Sequence, residues 1–367
     1  MFAKLAAIFV LALMMPILTP SGAAHAQAWQ DEWKATLAKA KGQTLNAMVA
    51  GEEAYQIILN EFSKKFGVKV ETTVSRPSSA LARIQTEQKN GQFIWDIWMG
   101  GTSNMVNSAS PAGLTAPMEP YFILPEVKDV SNWRHADFIF GDSKRSVFTN
   151  SNKLEFYVLR NKSVLPEVKV ETWDDLLNPK LKGKISVRDM SVPNAGTFAM
   201  ATAYGVKGPD FVRKLLKDQE VKVYENPQQL DAAIMRGGQA VSIGLETYLW
   251  DKCRADGGCK DVDNLYQFGA AISLGLTVPK NAPDSDAVKV FLNWYLSKEG
   301  QELWLKSWAI QNTSGAVSMR KDVAPVKGHE NSLPDFSDPK KYVFVSSEHG
   351  SAEINSTIKI FKEVMGK

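Results

Sequence analysis

Polar residues that could hold a small solute follow three predicted strands in the first part of the sequence. The strands are predicted at Thr44 to Val49, Val68 to Val74 and Trp95 to Met99, because apolar or alternating runs there end at Gly, Ser or Pro. In open parallel sheets, ligands bind beyond the carboxyl ends of the strands. The candidate contacts in the three loops are Gly51, Glu52, Arg76, Ser78, Ser79, Gly101, Thr102 and Ser103. Gly and Ser also form ordinary turns, so the recurrence at three strand ends is what favours a site.

A second segment that could contact the solute runs from Lys184 to Tyr204. Ile185 to Val187 is predicted to be a strand, Arg188 to Asn194 a polar loop, and Ala195 to Tyr204 a helix. The first N–H groups of a helix have no partner within the helix, and the helix dipole favours an anion there. The predicted contacts are Asp189, Asn194, Ala195, Gly196 and Thr197. The alternative is that Asn194 or Thr197 only caps the helix.

A further pair of candidates follows the predicted strand Ala240 to Leu245. Glu246 could pair with a cation on the ligand or with Arg188, and Tyr248 could stack or donate a hydrogen bond. The alternative is that both are structural residues of the surface or core.

Composition excludes several classes of function. The net charge is +3 with basic and acidic residues interspersed, so the chain lacks the basic patch that nucleic-acid binding requires. No serine-hydrolase, zinc-protease or Walker motif occurs, and His135, His329 and His349 lie far from the strand-end loops. We therefore expect a binding protein, not an enzyme, without a cofactor.

The first residues predict export. Lys4, the apolar run Leu5 to Leu18 and Ala24-His25-Ala26 form the pattern of a secretory signal peptide, so we expect residues 1–26 to be removed. No later run approaches the length of about 18 apolar residues that a transmembrane helix needs.

The two cysteines, Cys253 and Cys259, lie in one hydrophilic loop. In an oxidising compartment this spacing predicts a local disulfide. Zinc is the competing interpretation, but two thiolates without a nearby His leave a tetrahedral site half empty.

Alternating strands and amphipathic helices recur along the sequence, which predicts an α/β fold with mainly parallel sheets. The length after residue 26 is more than one usual domain, and 44% hydrophobic residues can fill two cores. We expect residues 27–150 in lobe 1, residues 151–268 in lobe 2, and residues 269–367 to return to lobe 1 and form the C-terminal helices.

Several segments together resemble the extracellular solute-binding proteins of ABC importers with the type 2 periplasmic binding protein fold. The segments that carry the resemblance are Glu61 to Val70, Leu81 to Ile84, Trp95 to Gly101, Thr172 to Ile185 and Phe291 to Gln301. The resemblance is to the branch that contains binders of ferric iron, thiamine, polyamines and phosphorylated compounds. It implies two α/β lobes joined by two crossing strands, which close on a ligand in the cleft.

The resemblance also implies delivery of a small-molecule ligand to a membrane permease with a cytoplasmic ATPase, and we expect the protein to be a periplasmic monomer. Ferric-iron members hold the metal with two adjacent tyrosines after the strand that matches Ala240 to Leu245, and this chain has Glu246-Thr247-Tyr248 there. We therefore predict no metal site and a small anionic organic solute, a carboxylate or phosphorylated compound. Ferric iron, polyamine or thiamine binding is the alternative, and an exported sensor or partner-binding protein is the second.

Overall fold

A computed structural model of the protein describes residues 21–135, 139–155, 157–245, 253, 256–310, 317–327, 333–337 and 341–367. Its strands form two sheets, each the centre of one lobe. The first-lobe strands are β1 (Thr44–Val49), β2 (Lys69–Val74), β3 (Ile97–Gly101), β4 (Thr115–Ala116), β5 (Val147–Glu155) and β11 (Ala270–Pro279). Those of the second lobe are β6 (Val158–Asn161), β7 (Ile185–Arg188), β8 (Lys222–Tyr224), β9 (Val241–Ile243) and β10 (Val262–Asn264). The first-lobe sheet has the order β2-β1-β3-β11-β4, with β5 paired to β11, and the second-lobe sheet has the order β10-β6-β9-β7-β8.

Helices cover both sheets and enclose separate hydrophobic cores. Those of the first lobe are α1 (Ser21–Ala40), α2 (Glu53–Phe66), α3 (Pro77–Lys89), α4 (Pro125–Lys128), α8 (Ser285–Tyr295) and α9 (Lys298–Ile310). Those that pack on the second-lobe sheet are α5 (Ala195–Lys207), α6 (Pro209–Asp218), α7 (Pro227–Met235) and α10 (Glu348–Met365). The predicted α/β architecture with two lobes is thereby confirmed, whereas the predicted lobe boundaries stay a prediction. Residues 1–20 of the predicted signal peptide lie outside the described residues.

Two antiparallel strands connect the lobes. β5 pairs with β11 from Val147 opposite Thr277 to Glu155 opposite Ala270, well past the end of β3. β5 leads on to β6, and β10 leads back through a 3₁₀ turn to β11. These crossing strands are those that the family resemblance implies.

The segment before α10 adds a third connection. The Ala271 amide donates to the Val343 carbonyl (2.8 Å), and the Val345 amide donates to the Ala271 carbonyl (3.0 Å). α10 then packs against α5 and α6 of the second lobe. At its first turns, the Ser351 hydroxyl donates to the Asn107 side chain of the first lobe (2.6 Å). α10 therefore contacts both lobes.

β3 lies two residues later than the sequence predicts. Gly100 and Gly101 pair with Gly275 and Leu274 of β11, so the strand includes the glycines that were assigned to the following loop. Trp98 is buried in the core, as expected of a bulky aromatic on a buried strand.

The predicted disulfide is confirmed. Cys253 and Cys259 are bonded, with their Cα atoms 5.6 Å apart. Since both sulfur atoms are in this bond, neither is a thiolate that could bind zinc.

Asp96 gives the first lobe a pH dependence. It is fully buried, and its carboxylate accepts hydrogen bonds from the amides of Asn46 (2.8 Å) and Asp284 (2.9 Å). Burial raises its pKa to about 6, against the lowering effect of these hydrogen bonds. A carboxyl whose pKa is higher in the folded than in the unfolded state stabilises the fold at low pH. That contribution is lost as the pH rises through about 6.

We expect Asp96→Asn to remove this dependence. The free energy of unfolding of the variant, minus that of the wild type, should grow by about 2 kcal/mol between pH 4 and pH 7. Urea unfolding followed by tryptophan fluorescence measures it, and the pH dependence of all other groups cancels in the difference. A difference that shrinks as pH rises would show that the hydrogen bonds outweigh burial.

Candidate functional site

The loops after β1, β2 and β3 meet at one edge of the first-lobe sheet. The three strands are parallel, and Val49 lies opposite both Val74 and Met99. The structure therefore brings together the predicted contacts that follow them. These are Gly51 and Glu52 after β1, Arg76 after β2, and Gly101, Thr102 and Ser103 at the end of β3.

The local structure gives these residues different surroundings. Arg76 is exposed and directly precedes α3. Ser78 and Ser79 lie in the first turn of α3, not in a loop, because Pro77 is well suited to the first helical position. Thr102 is fully buried, and its hydroxyl donates to the Ser273 carbonyl (3.4 Å). In this conformation Thr102 therefore ties β3 to a crossing strand.

The corresponding edge of the second lobe is formed by β7, β8 and β9. Arg188 at the end of β7 lies opposite Tyr224, and Val187 lies opposite Ile243. The strands are parallel, so the loops after Arg188, Tyr224 and Ile243 leave the sheet at the same edge. α5 begins in the first of these loops.

Asn194 is the N-cap of α5. Its side-chain oxygen accepts hydrogen bonds from the amides of Gly196 (2.9 Å) and Thr197 (3.4 Å), and its amide donates to the Asp189 carbonyl (2.6 Å). The Thr197 hydroxyl donates to the Val192 carbonyl (2.9 Å), and Ala195 is buried. The capping alternative is thus correct for this conformation, and ligand contact by Asn194 to Thr197 stays a prediction. The loop is held rigidly by its own hydrogen bonds.

Two glycines allow Arg188 to lie against the start of α5. Gly244 has φ +105°, and a Cβ there would lie 2.7 Å from Arg188 Cβ and 2.8 Å from Gly196 Cα. A Cβ on Gly196 would lie 3.0 Å from Arg188 Cβ. The ends of β7 and β9 and the first turn of α5 therefore meet at backbone distance, which places an arginine beside a helix N-terminus.

Asp189 has a partner that sequence reasoning missed. Its carboxylate forms an ion pair with Lys367, which also lies 3.4 Å from the Glu225 carboxylate. Partial burial alone would raise the pKa of Asp189, but the bonds from Lys367 and Ser191 outweigh it and hold this pKa below its ordinary value. Lys367 follows α10, about 180 residues along the chain, and no local sequence pattern indicates this pairing. Lys367 therefore offsets part of the negative charge that Asp189 and Glu225 place at this rim.

Glu246 and Tyr248 lie outside the described residues. Within the part of the chain that the structure describes, no three His, Cys, Asp or Glu side chains come together as they would to hold a metal ion. In the same part of the chain, no helix has both the length and the apolar character to cross a membrane.

Comparison with known proteins agrees with this architecture. The sequence model of the bacterial extracellular solute-binding proteins matches residues 39–302. An uncharacterised protein of Haemophilus influenzae is 27% identical over 308 residues, which cover 78% of this chain and 82% of that protein.

Solved structures of similar fold include the following two. An iron- and citrate-bound Trichodesmium protein (IdiA, FutA) has a TM-score of 0.66 and 19% identity, with 88% of this chain and 100% of that chain covered. The periplasmic binding protein AfuA of Actinobacillus pleuropneumoniae, with fructose-6-phosphate bound, has a TM-score of 0.56 and 20% identity, with 87% and 99% covered.

The two α/β lobes, the crossing strands and the strand-end loops define a type 2 periplasmic binding protein fold. The family match extends over most of the chain, so this protein belongs to the bacterial extracellular solute-binding proteins, the binding components of ABC transporters.

Proposed function

We propose that the protein captures a small anionic organic solute, a carboxylate or a phosphorylated compound, between its two lobes. The observation that carries the proposal is the packing of Arg188 against the first turn of α5. A helix N-terminus carries partial positive charge, and arginine forms strong charge-assisted hydrogen bonds with carboxylate and phosphate oxygens. Together they favour an anionic group at this rim.

The surrounding charges support the same class of solute. Asp189 is paired with Lys367, which reduces its repulsion of an incoming anion. Arg76 supplies an exposed positive charge at the corresponding edge of the first lobe. Of the ligands named for the two similar structures, citrate and fructose-6-phosphate are anions of this kind, and iron is not.

Capture follows from contacts with both lobes. A solute that bonds to the first-lobe loops and to the α5 rim binds the closed conformation more tightly than the open one, so it shifts the population towards closure. We propose that a permease with a cytoplasmic ATPase recognises that closed form in the periplasm, and that the protein acts as a monomer without enzymatic activity. We propose that the solute is also contacted by the predicted residues of the loops after β1, β2 and β3, and by Glu246 and Tyr248.

The test is a thermal-shift panel of carboxylates, phosphorylated compounds, amines, thiamine and ferric salts, followed by calorimetry on the compounds that respond. We expect anions to stabilise the wild type, and Arg188→Ala to weaken their binding about 10- to 100-fold, or roughly 1.4–2.8 kcal/mol. Arg76→Ala should weaken it less, because that side chain is exposed to water.

Arg213→Ala is the matched control. Arg213 is a half-exposed arginine of α6 that pairs with Asp210 and Glu363, away from the strand ends, so anion binding should be unchanged. A response to ferric salts or amines with none to organic anions would contradict the proposal.

A further inference from the structure

A cavity outside the proposed solute site lies where the crossing strands meet the segment that leads into α10. One wall is the segment 140–143 before β5, a second is formed by side chains of the crossing strands β5 and β11, and the third is the segment 344–349. The volume of the cavity is about 260 Å³. Ligand pockets begin at roughly 300 Å³, so this cavity suits only a small molecule.

The order of the strands separates this cavity from the proposed solute site. Phe140 pairs with Phe148 at the outer edge of β5, and the Gly141 amide donates to the Val147 carbonyl (3.0 Å). β5 itself pairs with β11, and β11 pairs on its other side with β3. The segment 140–143 and the loops after β1, β2 and β3 therefore lie on opposite sides of the crossing strands.

Two buried hydroxyls that line this cavity have no hydrogen-bond partner in the described part of the chain, those of Thr149 and Ser346. The two residues are 2% and 4% exposed. Both lie beside Gly141, since a Cβ there would lie 3.8 Å from Thr149 Oγ1 and 3.0 Å from the Ser346 carbonyl oxygen. An unpaired buried hydroxyl is unfavourable, and native proteins hold few of them. Two such hydroxyls in one cavity point to a ligand that bonds to them.

The start of α10 adds two donors to the same cavity. Ser347 is the N-cap: its hydroxyl accepts from the Gly350 amide (2.9 Å), and its carbonyl accepts from the Ser351 amide (3.0 Å). Among the described residues, the amides of Glu348 and His349 have no acceptor. α10 has 18 residues, and its dipole places partial positive charge at this end. These amides therefore favour a negatively charged oxygen.

Two carboxylates near the cavity limit the charge of that ligand. Asp142 accepts hydrogen bonds from the amides of Ser146 and Val147 (2.9 Å each). Glu348 is exposed, and its carboxylate accepts from the amide (3.2 Å) and the hydroxyl (3.1 Å) of Ser143. Both carboxylates thus have donors of their own, but their charges stay close to the cavity. A ligand with one negative charge is therefore favoured over a ligand with two.

The rings of Phe140 and Phe344 form the apolar part of the lining. We propose that the cavity binds a small monocarboxylate with an apolar body. The carboxylate accepts hydrogen bonds from the Thr149 and Ser346 hydroxyls and from the first amides of α10, and the apolar body lies against the two rings. This site is distinct from the solute site at the α5 rim and does not depend on it.

Benzoate is the probe, and its binding to the full chain is measured by calorimetry and by ligand-observed NMR. The wild type should bind benzoate with a Kd of about 1 mM or tighter. Acetate lacks an apolar body, and the ammonium group of benzylamine only donates hydrogen bonds, so both should bind at least about 10-fold more weakly. Binding of either compound as tight as that of benzoate would overturn the proposal.

Thr149→Val and Ser346→Ala remove the two hydroxyls with little change in shape. Each should weaken benzoate binding about 10-fold. Without benzoate, both variants should melt at the wild-type temperature or higher, because neither hydroxyl has a partner to lose. Thr357→Val is the matched control, since it removes another buried hydroxyl without a described partner, in α10 but outside the cavity. It should leave benzoate binding unchanged.

Arg188→Ala distinguishes the cavity from the proposed solute site. Benzoate in the cavity should keep its affinity in this variant, whereas anions at the α5 rim should bind more weakly. A loss of benzoate binding in Arg188→Ala, with none in Thr149→Val and Ser346→Ala, would place benzoate at the rim and overturn the cavity site. An absence of benzoate binding to the wild type would also overturn the cavity site, and the thermal-shift panel would still decide the solute proposal.

Discussion

Gly244→Ala should destabilise the second lobe by about 3 kcal/mol or more and abolish anion binding. A methyl group at this position would lie 2.7–2.9 Å from Arg188 Cβ and from two backbone atoms of Gly196, and Ala is strained at φ +105°. The steric conflict is with main chain, which cannot move away as a flexible side chain does. The steric conflict can be relieved only if the first turn of α5 moves away from β7. That movement separates the Arg188 side chain from the N-terminus of α5.

Gly183→Ala is the control for backbone strain alone. Gly183 also has positive φ (+70°) and lies in the second lobe, but nothing lies within 4 Å of its added Cβ. It should cost about 1 kcal/mol and leave binding unchanged. Urea unfolding followed by circular dichroism gives the stabilities, and calorimetry with the best anion from the panel gives binding. Equal effects of the two substitutions would show that β9 and α5 are not in tight contact.

Arg320→Met should destabilise the first lobe by about 3 kcal/mol. The side chain is buried, its guanidinium forms two hydrogen bonds of 2.9 Å with the Asp322 carboxylate, and it donates to the Leu296 carbonyl (3.0 Å). Hydrogen bonds from Arg320 lower the pKa of Asp322, so the pair stabilises the fold at neutral pH, and this contribution is lost as the pH falls through that lowered pKa. Met preserves the volume of the side chain but leaves these acceptors without their donors.

Arg320→Lys should recover only part of the loss, because an ammonium cannot reproduce the planar two-bond geometry of a guanidinium. The control is Arg213→Met at a half-exposed arginine, which should change the free energy of unfolding by less than about 1 kcal/mol. Tryptophan fluorescence suits the measurement, since Trp133 and Trp304 of the first lobe are fully buried. A loss at Arg320 as small as that at Arg213 would refute the role assigned to the buried guanidinium.

The sequence was sufficient for features that depend on local pattern. Strand periodicity predicted β1, β2, β7 and β9, and the Asn194 cap follows from its position before a run of small residues. The predicted ends of a strand were wrong where pairing with a distant strand determines how far the strand extends. Gly100 and Gly101 look like a loop on their own, but β11 provides partners that extend β3 through them.

The candidate site was predictable only in outline. Strand ends indicate which loops share an edge, but the packing of distant segments decides what each side chain contacts. Lys367 reaches Asp189 only because α10 runs back along α5. The spacing of residues in the sequence does not indicate a contact between segments that lie so far apart along the chain.

The path of α10 has a mechanical consequence. Two adjacent strands alone would let the lobes bend towards each other and also twist about the strand axis. The segment through Val343 and Val345 lies beside them, and α10 reaches across to Asn107, so twisting would have to stretch or break these hydrogen bonds. Bending about the line of the strands strains them less. We therefore expect the lobes to bend more readily than they twist, so that opening and closing follow a single coordinate.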